Sequence, residues 1–441
     1  MFFRIHGNRV LDPVTAGPST LDWIVAVFVV TIQQGAFVST PMVFSDVSLS
    51  ALRDIQQNPF NTACIAISII SIGIVCFRWI RPIAFLAWTN RFSLLFMLLV
   101  LMSATWSVHP DLTIRRGLGY VLTMLIAAYL TLRFDLIDRM KVLSASFAVS
   151  AVGSLLFTAV FPEYGIMREG DLAGTWRGVF MHKNQFGPVM AVAVFTELFI
   201  LVALRGRPRW RFASLSTYFA LVVLSHSATA LLLSLTYLAG TGLYLLWQRD
   251  KLRGVAISAI VAILLLAVLL TLWIDPAAAL SIVGRDTTLT GRTELWTAVI
   301  TLIEQRLVLG WGYRAMFQSG DASTALIDRV ADWGAGSSHN AFLEITLELG
   351  LLGAGVMLVI IAVALGRGLW CCKAGIRPLG WFSLMFFVGA IVAGQTVETI
   401  GQNQNIDWVA FNVLSFSCGL VLASLRGDWP SARFLSPNAW R

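Results

Sequence analysis

The sequence predicts an all-α integral membrane protein that crosses the bilayer many times. Of its 441 residues, 57% are hydrophobic and only 13% are charged, whereas a soluble domain carries about one quarter charged residues. A hydrocarbon core about 30 Å thick requires about 20 apolar residues per helical crossing, and runs of that length occur almost from end to end. They are too long for the strands of roughly ten alternating residues that form membrane β-barrels.

About twelve apolar runs are candidate transmembrane helices, so we expect a single polytopic domain over residues 1–441. The first run is longer than a signal-peptide core and has no small-residue cleavage pattern behind it, so we expect it to be retained. The candidate spans lie near residues 21–40, 60–77, 83–105, 117–132, 142–160, 185–204, 212–225, 228–247, 254–274, 340–366, 379–397 and 407–425.

The distribution of Lys and Arg predicts the orientation. Connections rich in these residues alternate with connections that are poor in them, and the rich ones are 77–82, 133–141, 205–211, 248–253 and 366–378. Cytoplasmic loops carry such an excess, so these connections and both basic termini are expected inside. The net charge of +8 then reflects topology and attraction to anionic headgroups, and it does not indicate nucleic-acid binding.

The opposite connections hold the residues best suited to chemistry. All of the histidines except His6 fall on this predicted outer face. The positive-inside rule disfavours Lys and Arg in outer connections, so topology does not explain the cations found there. The densest group occurs in RGVFMHKNQFG, which contains Arg177, His182, Lys183 and Asn184.

The longest outer connection, residues 275–338, is too long to be a mere linker. Within it, Trp296, Val299, Ile300 and Ile303 recur at helical spacing, which predicts a short amphipathic helix lying along the membrane surface. Arg292 precedes this helix.

Two further motifs follow that helix. The glycine-flexed turn GWGYR carries Arg314, and GAGSSHNAF places His339 and Asn340 at the start of the next apolar run. Ser337 or Ser338 is the expected N-cap of that run.

No metal or cofactor site is predicted. The outer histidines have no companion His or carboxylate at ligand spacing, and the cysteines fall within spans or on the inside face, so no outer disulfide is expected. The sequence contains neither an Asp-x-Asp pattern nor a P-loop.

Five motifs, in order, resemble one family of membrane proteins. They are WSVHPDLTIRR, GTWRGVFMHKNQFG, GRTELW, GWGYR and SSHNAFLEITLELGLLG, and they extend roughly from Trp106 to Gly353. The chain resembles the O-antigen ligase and Wzy-type O-antigen polymerase superfamily, in particular its ExoQ-like exopolysaccharide polymerase branch, whose members carry a similar R-G-x-F-x-H-K-N element.

This resemblance implies a GT-C-like glycosyltransferase of the bacterial inner membrane. Such an enzyme transfers a glycan from undecaprenyl diphosphate to an acceptor hydroxyl on the periplasmic side, without nucleotide sugar or divalent metal. The implied partners are the undecaprenyl-diphosphate-linked donor, the glycan acceptor and membrane lipids, with chain-length regulators and export proteins as further candidates; no nucleic acid is implied.

The chemistry assigns expected roles to the outer residues. Without a metal, the charge on a leaving diphosphate must be stabilised by Arg and Lys. His339, in the position the family uses for its essential histidine, is expected to be the base. We therefore expect a catalytic group of His339, Arg177 and Arg292, and diphosphate or glycan contacts from Lys183, His182, Asn184, Arg314 and Asn340. At the last outer turn, Glu398 and Asn405 are candidates for closing the site.

Simpler interpretations of the same residues remain open. Arg177 and Lys183 could be interfacial anchors, Arg292 could pair with Glu294, and His339 could be a hydrogen-bonded helix-end residue. Two alternative functions remain open as well. A ligase would differ from a polymerase only in its acceptor. A flippase would place charged residues deep in several spans. Glu197 is the main charged residue at such a depth, and we expect its carboxylate to pair with another polar group.

Overall fold

The computed structural model describes residues 17–37, 66–69, 72–73, 79–168, 170–204, 208–250, 253–254, 292–317, 325–330 and 335–428. Over these residues the protein is all-helical, as predicted, and the one β-bridge is an isolated pair between Ile166 and Trp176. The helices are α1 (Thr20–Gln33), α2 (Ile80–Thr89), α3 (Arg91–Met102), α4 (Pro110–Arg133), α5 (Leu136–Val160), α6 (Pro162–Gly165), α7 (Lys183–Ala203), α8 (Arg209–Leu224), α9 (Ala228–Arg249), α10 (Arg292–Gln305), α11 (Ala325–Val330), α12 (Ala341–Lys373), α13 (Arg377–Ala393) and α14 (Ile406–Leu425).

The described residues contain fewer spans than the twelve expected. Five helices are long and apolar enough to cross a membrane, namely α5, α7, α9, α12 and α14, and α2 with α3 makes a sixth if this pair, bent by 98°, is one span. Helices α1 and α13 are apolar but shorter. The predicted runs at 60–77 and 254–274 lie mostly outside the described residues. The chain is thus a multi-pass membrane protein, and the count of twelve is not confirmed.

Helices α7 and α14 form the centre of the bundle. In each, 89% of the apolar span is buried inside the protein, against 33–50% for the other long spans. A helix that is apolar all round suits such a position, since every face meets other helices. Helix α7 packs against α5, α8 and α9, and α14 packs against α4, α12 and α13.

The charge expected to find a partner inside a span does so. Glu197 of α7 is fully buried, and its Oε2 accepts a hydrogen bond from Arg211 Nη1 of α8 at 2.9 Å. Ser144 donates its hydroxyl to the other carboxylate oxygen. The pair neutralises both charges within the helix bundle, which is how intramembrane ions are accommodated.

Helices α4, α7, α9, α12 and α14 begin at one end of the bundle, which we call the His339 end. Hydrogen bonds tie their first residues and preceding loops together, running from Val108 to Trp311, from Lys183 to His226 and from Asn405 to Glu398. Helix N-termini carry partial positive charge. The His339 end is therefore favourable for an anion.

A break in α12 at Gly350 provides backbone groups that bind the segment 307–312. At Gly350 the backbone leaves the helical region, with φ 64° and ψ −167°. The carbonyl of Leu347 accepts from Trp311 N at 3.0 Å, and Leu351 N donates to the Leu307 carbonyl at 2.8 Å. The segment 307–312 thus satisfies the backbone groups that the break exposes, as a non-helical segment within a membrane bundle requires.

Replacing Gly350 with alanine is expected to lower stability strongly. That backbone conformation is essentially restricted to glycine and costs other residues about 1–3 kcal/mol, and an added Cβ would also overlap the backbone carbonyl of Val308. Thermal unfolding in detergent should show a clear fall in Tm. Gly355→Ala is the control, because its Cβ meets open space in the same helix; equal Tm values for the two variants would contradict the prediction.

Helix α10 forms where predicted, but its apolar face is covered by protein. Leu295, Val299 and Ile303 are buried in a small cluster with Phe317 of the following loop and Leu347 of α12. Ile300, assigned to the membrane-facing stripe, is 46% exposed on the other side. Much of the stripe therefore packs against the next loop and α12, and contact of this helix with the membrane surface is not confirmed. Residues 275–291 of the long connection lie outside the described residues.

Candidate functional site

His339 lies in a short loop immediately before α12. Asn340 is the N-cap of that helix: its Oδ1 accepts from Phe342 N at 3.0 Å and from Leu343 N at 3.2 Å. The expectation that Ser337 or Ser338 caps α12 is wrong, because Asn340 is adjacent to the first turn. Ser338 instead donates its hydroxyl to the Asn340 carbonyl. The side chain of Asn340 is thus engaged by the helix, which leaves its expected glycan contact without support.

Glu398 holds the backbone and approaches the ring of His339. Its Oε1 accepts from His339 N at 2.9 Å and lies 3.4 Å from Nδ1 of the same residue. The Ser337 hydroxyl donates to that carboxylate oxygen as well. His339 has a left-handed φ of 52°, a conformation that costs a non-glycine residue energy and persists where the surroundings enforce it.

Burial lowers the pKa of His339 below its ordinary value of 6.5, the nearby charge of Glu398 opposes the shift, and the charge of Arg292 adds to it. The imidazole is therefore neutral at neutral pH. A neutral imidazole is the form that accepts a proton.

Two acids of α12, which the sequence analysis did not single out, lie behind this loop. Glu344 and Glu348 are 3% and 1% exposed, and Glu344 Oε2 accepts from Ser338 N at 2.8 Å. Their signal in the sequence is a pair of carboxylates four residues apart in the otherwise apolar run AFLEITLELGLLG. Two adjacent backbone N–H groups, those of Ser338 and His339, are thus bound by carboxylates from different parts of the chain.

Arg314 lies against these acids. Burial alone would lower its pKa, but the negative charges of Glu348, Glu344 and Glu398 outweigh burial and raise it. Its backbone carbonyl accepts from Arg116 Nη1 of α4, so a second cation joins the same group. The charges of these acids thus attract Arg314, and a diphosphate would compete with them for its positive charge.

His182 is the N-cap of α7. Its Nδ1 accepts from Asn184 N at 3.1 Å, which leaves the ring proton on Nε2. Burial, followed by the charges of Lys183, His339 and Arg177, lowers the pKa of His182 to about 4. The ring is neutral at physiological pH, so it offers a phosphate or glycan one N–H donor and no positive charge.

The neighbouring cations also make structural contacts. The guanidinium of Arg177 donates from Nε to the Tyr164 carbonyl at 2.6 Å and from Nη1 to the Met181 carbonyl at 3.4 Å. Lys183 Nζ reaches the His226 carbonyl at 3.4 Å. The Arg177 bonds hold the segment between α5 and α7 together, and the Lys183 bond joins the start of α7 to the turn between α8 and α9. Asn184 lies in the first turn of α7 beside them.

Arg292 joins the group from α10. Its Nη1 donates to the Thr396 carbonyl at 3.2 Å, two residues before Glu398. Its positive charge adds to the lowering of the His339 pKa, and interaction with His339 in turn adds to the lowering of the His182 pKa. Segments 177–184, 292, 337–340 and 398 therefore converge at the His339 end, and Arg314 sits behind their acids.

The site combines cations, neutral imidazoles and helix N-termini within one polar patch. The described residues contain no group of three or more His, Cys, Asp and Glu side chains arranged to hold a metal ion. Cations and backbone N–H groups are suited to an anionic ligand, and a neutral histidine is suited to proton transfer.

Comparison with known proteins shows similarity over parts of the chain. The family model described as O-antigen ligase (Wzy_C) matches residues 212–358, a range that includes Arg292, Arg314 and His339 but neither Arg177 nor Glu398. The chain is also similar to the exopolysaccharide production protein ExoQ of Rhizobium meliloti (strain 1021), with 27% identity over 278 residues. That match covers 59% of this chain and 60% of the relative.

These matches agree with the resemblance carried by the five motifs, and the apolar helices agree with the membrane setting. The chain is a multi-pass membrane protein that is similar to the O-antigen ligase family over residues 212–358 and to ExoQ over 59% of its length.

Proposed function

We propose that this protein is a membrane glycosyltransferase that polymerises undecaprenyl-diphosphate-linked oligosaccharide repeat units into exopolysaccharide or O-antigen on the periplasmic face of the bacterial inner membrane. The observation that carries the proposal is a linked group at the His339 end: Arg177 and Lys183 lie beside His182, Arg292 lies beside His339, and the two histidines interact with each other. Their segments are remote in sequence but share electrostatic interactions and one end of the bundle.

The chemistry requires both parts of that patch. The bond between the anomeric carbon and the diphosphate oxygen breaks, and its electron pair leaves with the diphosphate. The new bond forms from the acceptor hydroxyl oxygen, whose proton passes to His339. Cations stabilise the charge that develops on the leaving group, and Arg binds phosphate oxygens through two parallel N–H bonds. Direct displacement inverts the configuration at the anomeric carbon.

The acceptor distinguishes the polymerase from the ligase that the matching family model names. A polymerase uses a second lipid-linked glycan, whereas a ligase uses lipid A core or another acceptor. The similarity to an exopolysaccharide production protein and the RGVFMHKN element favour the polymerase.

The lipid-linked glycan that accumulates in a deletion strain tests the proposal. Lipids extracted from the deletion strain are sized, and their leaflet is determined by labelling intact spheroplasts with a membrane-impermeant lectin. Single repeat units on the outer leaflet are expected. Complete chains still bound to the carrier would support the ligase instead, and units confined to the inner leaflet would indicate a flippase and overturn the glycosyltransferase.

A further inference from the structure

We propose that Glu398 is the positioning residue of His339, holding its ring in place while the acceptor hydroxyl is deprotonated. The inference rests on the proposed function, because it assigns His339 the role of base, and it adds a residue that lies outside the range matched by the family model. Glu398 precedes α14, and Asn405, the N-cap of α14, donates from Nδ2 to the Glu398 carbonyl at 3.1 Å.

The contacts of Glu398 converge on one oxygen. Oε1 accepts from His339 N and from the Ser337 hydroxyl and lies 3.4 Å from His339 Nδ1. A carboxylate beside Nδ1 favours the tautomer with its proton on Nδ1, so Nε2 carries the lone pair that accepts a proton. It also stabilises the imidazolium that forms when the acceptor hydroxyl is deprotonated.

The charges around His339 come from every element packed against it. Glu398 approaches from the loop before α14 and Arg292 from the start of α10. Glu344 of α12 binds the preceding residue, and the neutral His182 caps α7. Among these, Glu398 is the acid that raises the proton affinity of the ring, and Arg292 lowers it.

A purely structural role for Glu398 makes a different prediction. In Glu398→Gln the amide oxygen still accepts from His339 N and Ser337 Oγ. The hydrogen bonds between the loop before α12 and the loop before α14 therefore persist, while the negative charge is removed. In Glu398→Asp the charge persists. If Glu398 only joins the two loops by hydrogen bonds, Glu398→Gln leaves the pKa of His339 unchanged. If it sets the basicity of the ring, the pKa falls.

The first readout needs no substrate. The His339 pKa is measured by NMR on the purified full-length protein in nanodiscs with labelled histidine, the signal being assigned by its absence from His339→Gln. Glu398→Gln is expected to lower the pKa by about one pH unit, and Glu398→Asp to leave it near the native value. The control is Glu163→Gln, which removes an exposed carboxylate in α6 and should have no effect.

The second readout is kcat/KM against pH, with lipid-linked repeat units extracted from the deletion strain as donor and acceptor. Protonated His339 is inactive, so activity falls on the acid side through its pKa. The native acid limb is expected below pH 6.5; Glu398→Gln should move it to lower pH and reduce kcat at pH 7 at least about tenfold.

The outcomes separate the two proposals. An unchanged pKa and an unchanged acid limb in Glu398→Gln, with His339→Ala inactive, would overturn the positioning role and leave the proposed function standing. A shifted pKa in a protein that processes no extracted lipid would refute the glycosyltransferase, and with it the role of Glu398 in that reaction.

Discussion

Replacing His339 with alanine is expected to reduce transfer by a factor of about 10² to 10⁴, the usual contribution of a general base. The side chain is 27% exposed, and helix α12 keeps its cap because Asn340 provides it. The protein should therefore remain folded and in the membrane. The measurement is the polysaccharide formed by a deletion strain that expresses the variant at the native protein level.

His109→Ala provides the control for this loss. His109 is the same residue type at the same end of the bundle, in the N-cap position of α4, but its side chain makes no capping hydrogen bond. Its variant should produce normal polysaccharide. Normal product from His339→Ala at matched protein level would remove this residue from the mechanism.

Arg177 is expected to show the second large effect. Arg177→Ala should lower transfer about 10²- to 10³-fold, the typical loss on removing one donor that stabilises developing negative charge. Arg177→Lys should recover little, because a point charge replaces the forked guanidinium and the Nε bond to the Tyr164 carbonyl is lost. Donor affinity and turnover are measured separately with the extracted lipid.

Two measurements separate the diphosphate contact from the loop anchor. Arg168→Ala removes an exposed arginine from the same loop and should leave transfer unchanged. If Arg177 only anchors the loop, Arg177→Ala will lower Tm and leave turnover in the folded fraction at the native level. A loss of turnover at an unchanged Tm is the result expected for a residue that contacts the diphosphate.

Some of the site was predictable because the signals are local. A histidine beside a helix start and a dense cationic segment between apolar runs are both visible in SSHNAF and RGVFMHKN. The partner of Glu197 was expected on general grounds, since an isolated charge in a span is costly. Its identity as Arg211 depends on the antiparallel packing of α7 and α8.

Other features could not be predicted from the sequence, because several neighbouring residues are suited to the same role. Ser337, Ser338 and Asn340 are all good helix caps, and which of them caps α12 depends on where its first turn begins. Glu344 and Glu348 lie in an apolar run, and the cations whose charges act on Glu348, Arg314 and Arg116, come from distant parts of the chain. The apolar stripe of α10 fitted a membrane or a protein surface equally well.

Composition and hydrophobic periodicity are sufficient to establish an all-helical, multi-pass membrane protein, since burial of apolar helices in lipid depends on residue type alone. The pairing of His339 with Glu398 and the attraction of Arg314 to buried acids depend on how α10, α12 and α14 pack. Such contacts join residues far apart in the chain, and their energies arise from distance and burial, which exist only once the helices have assembled.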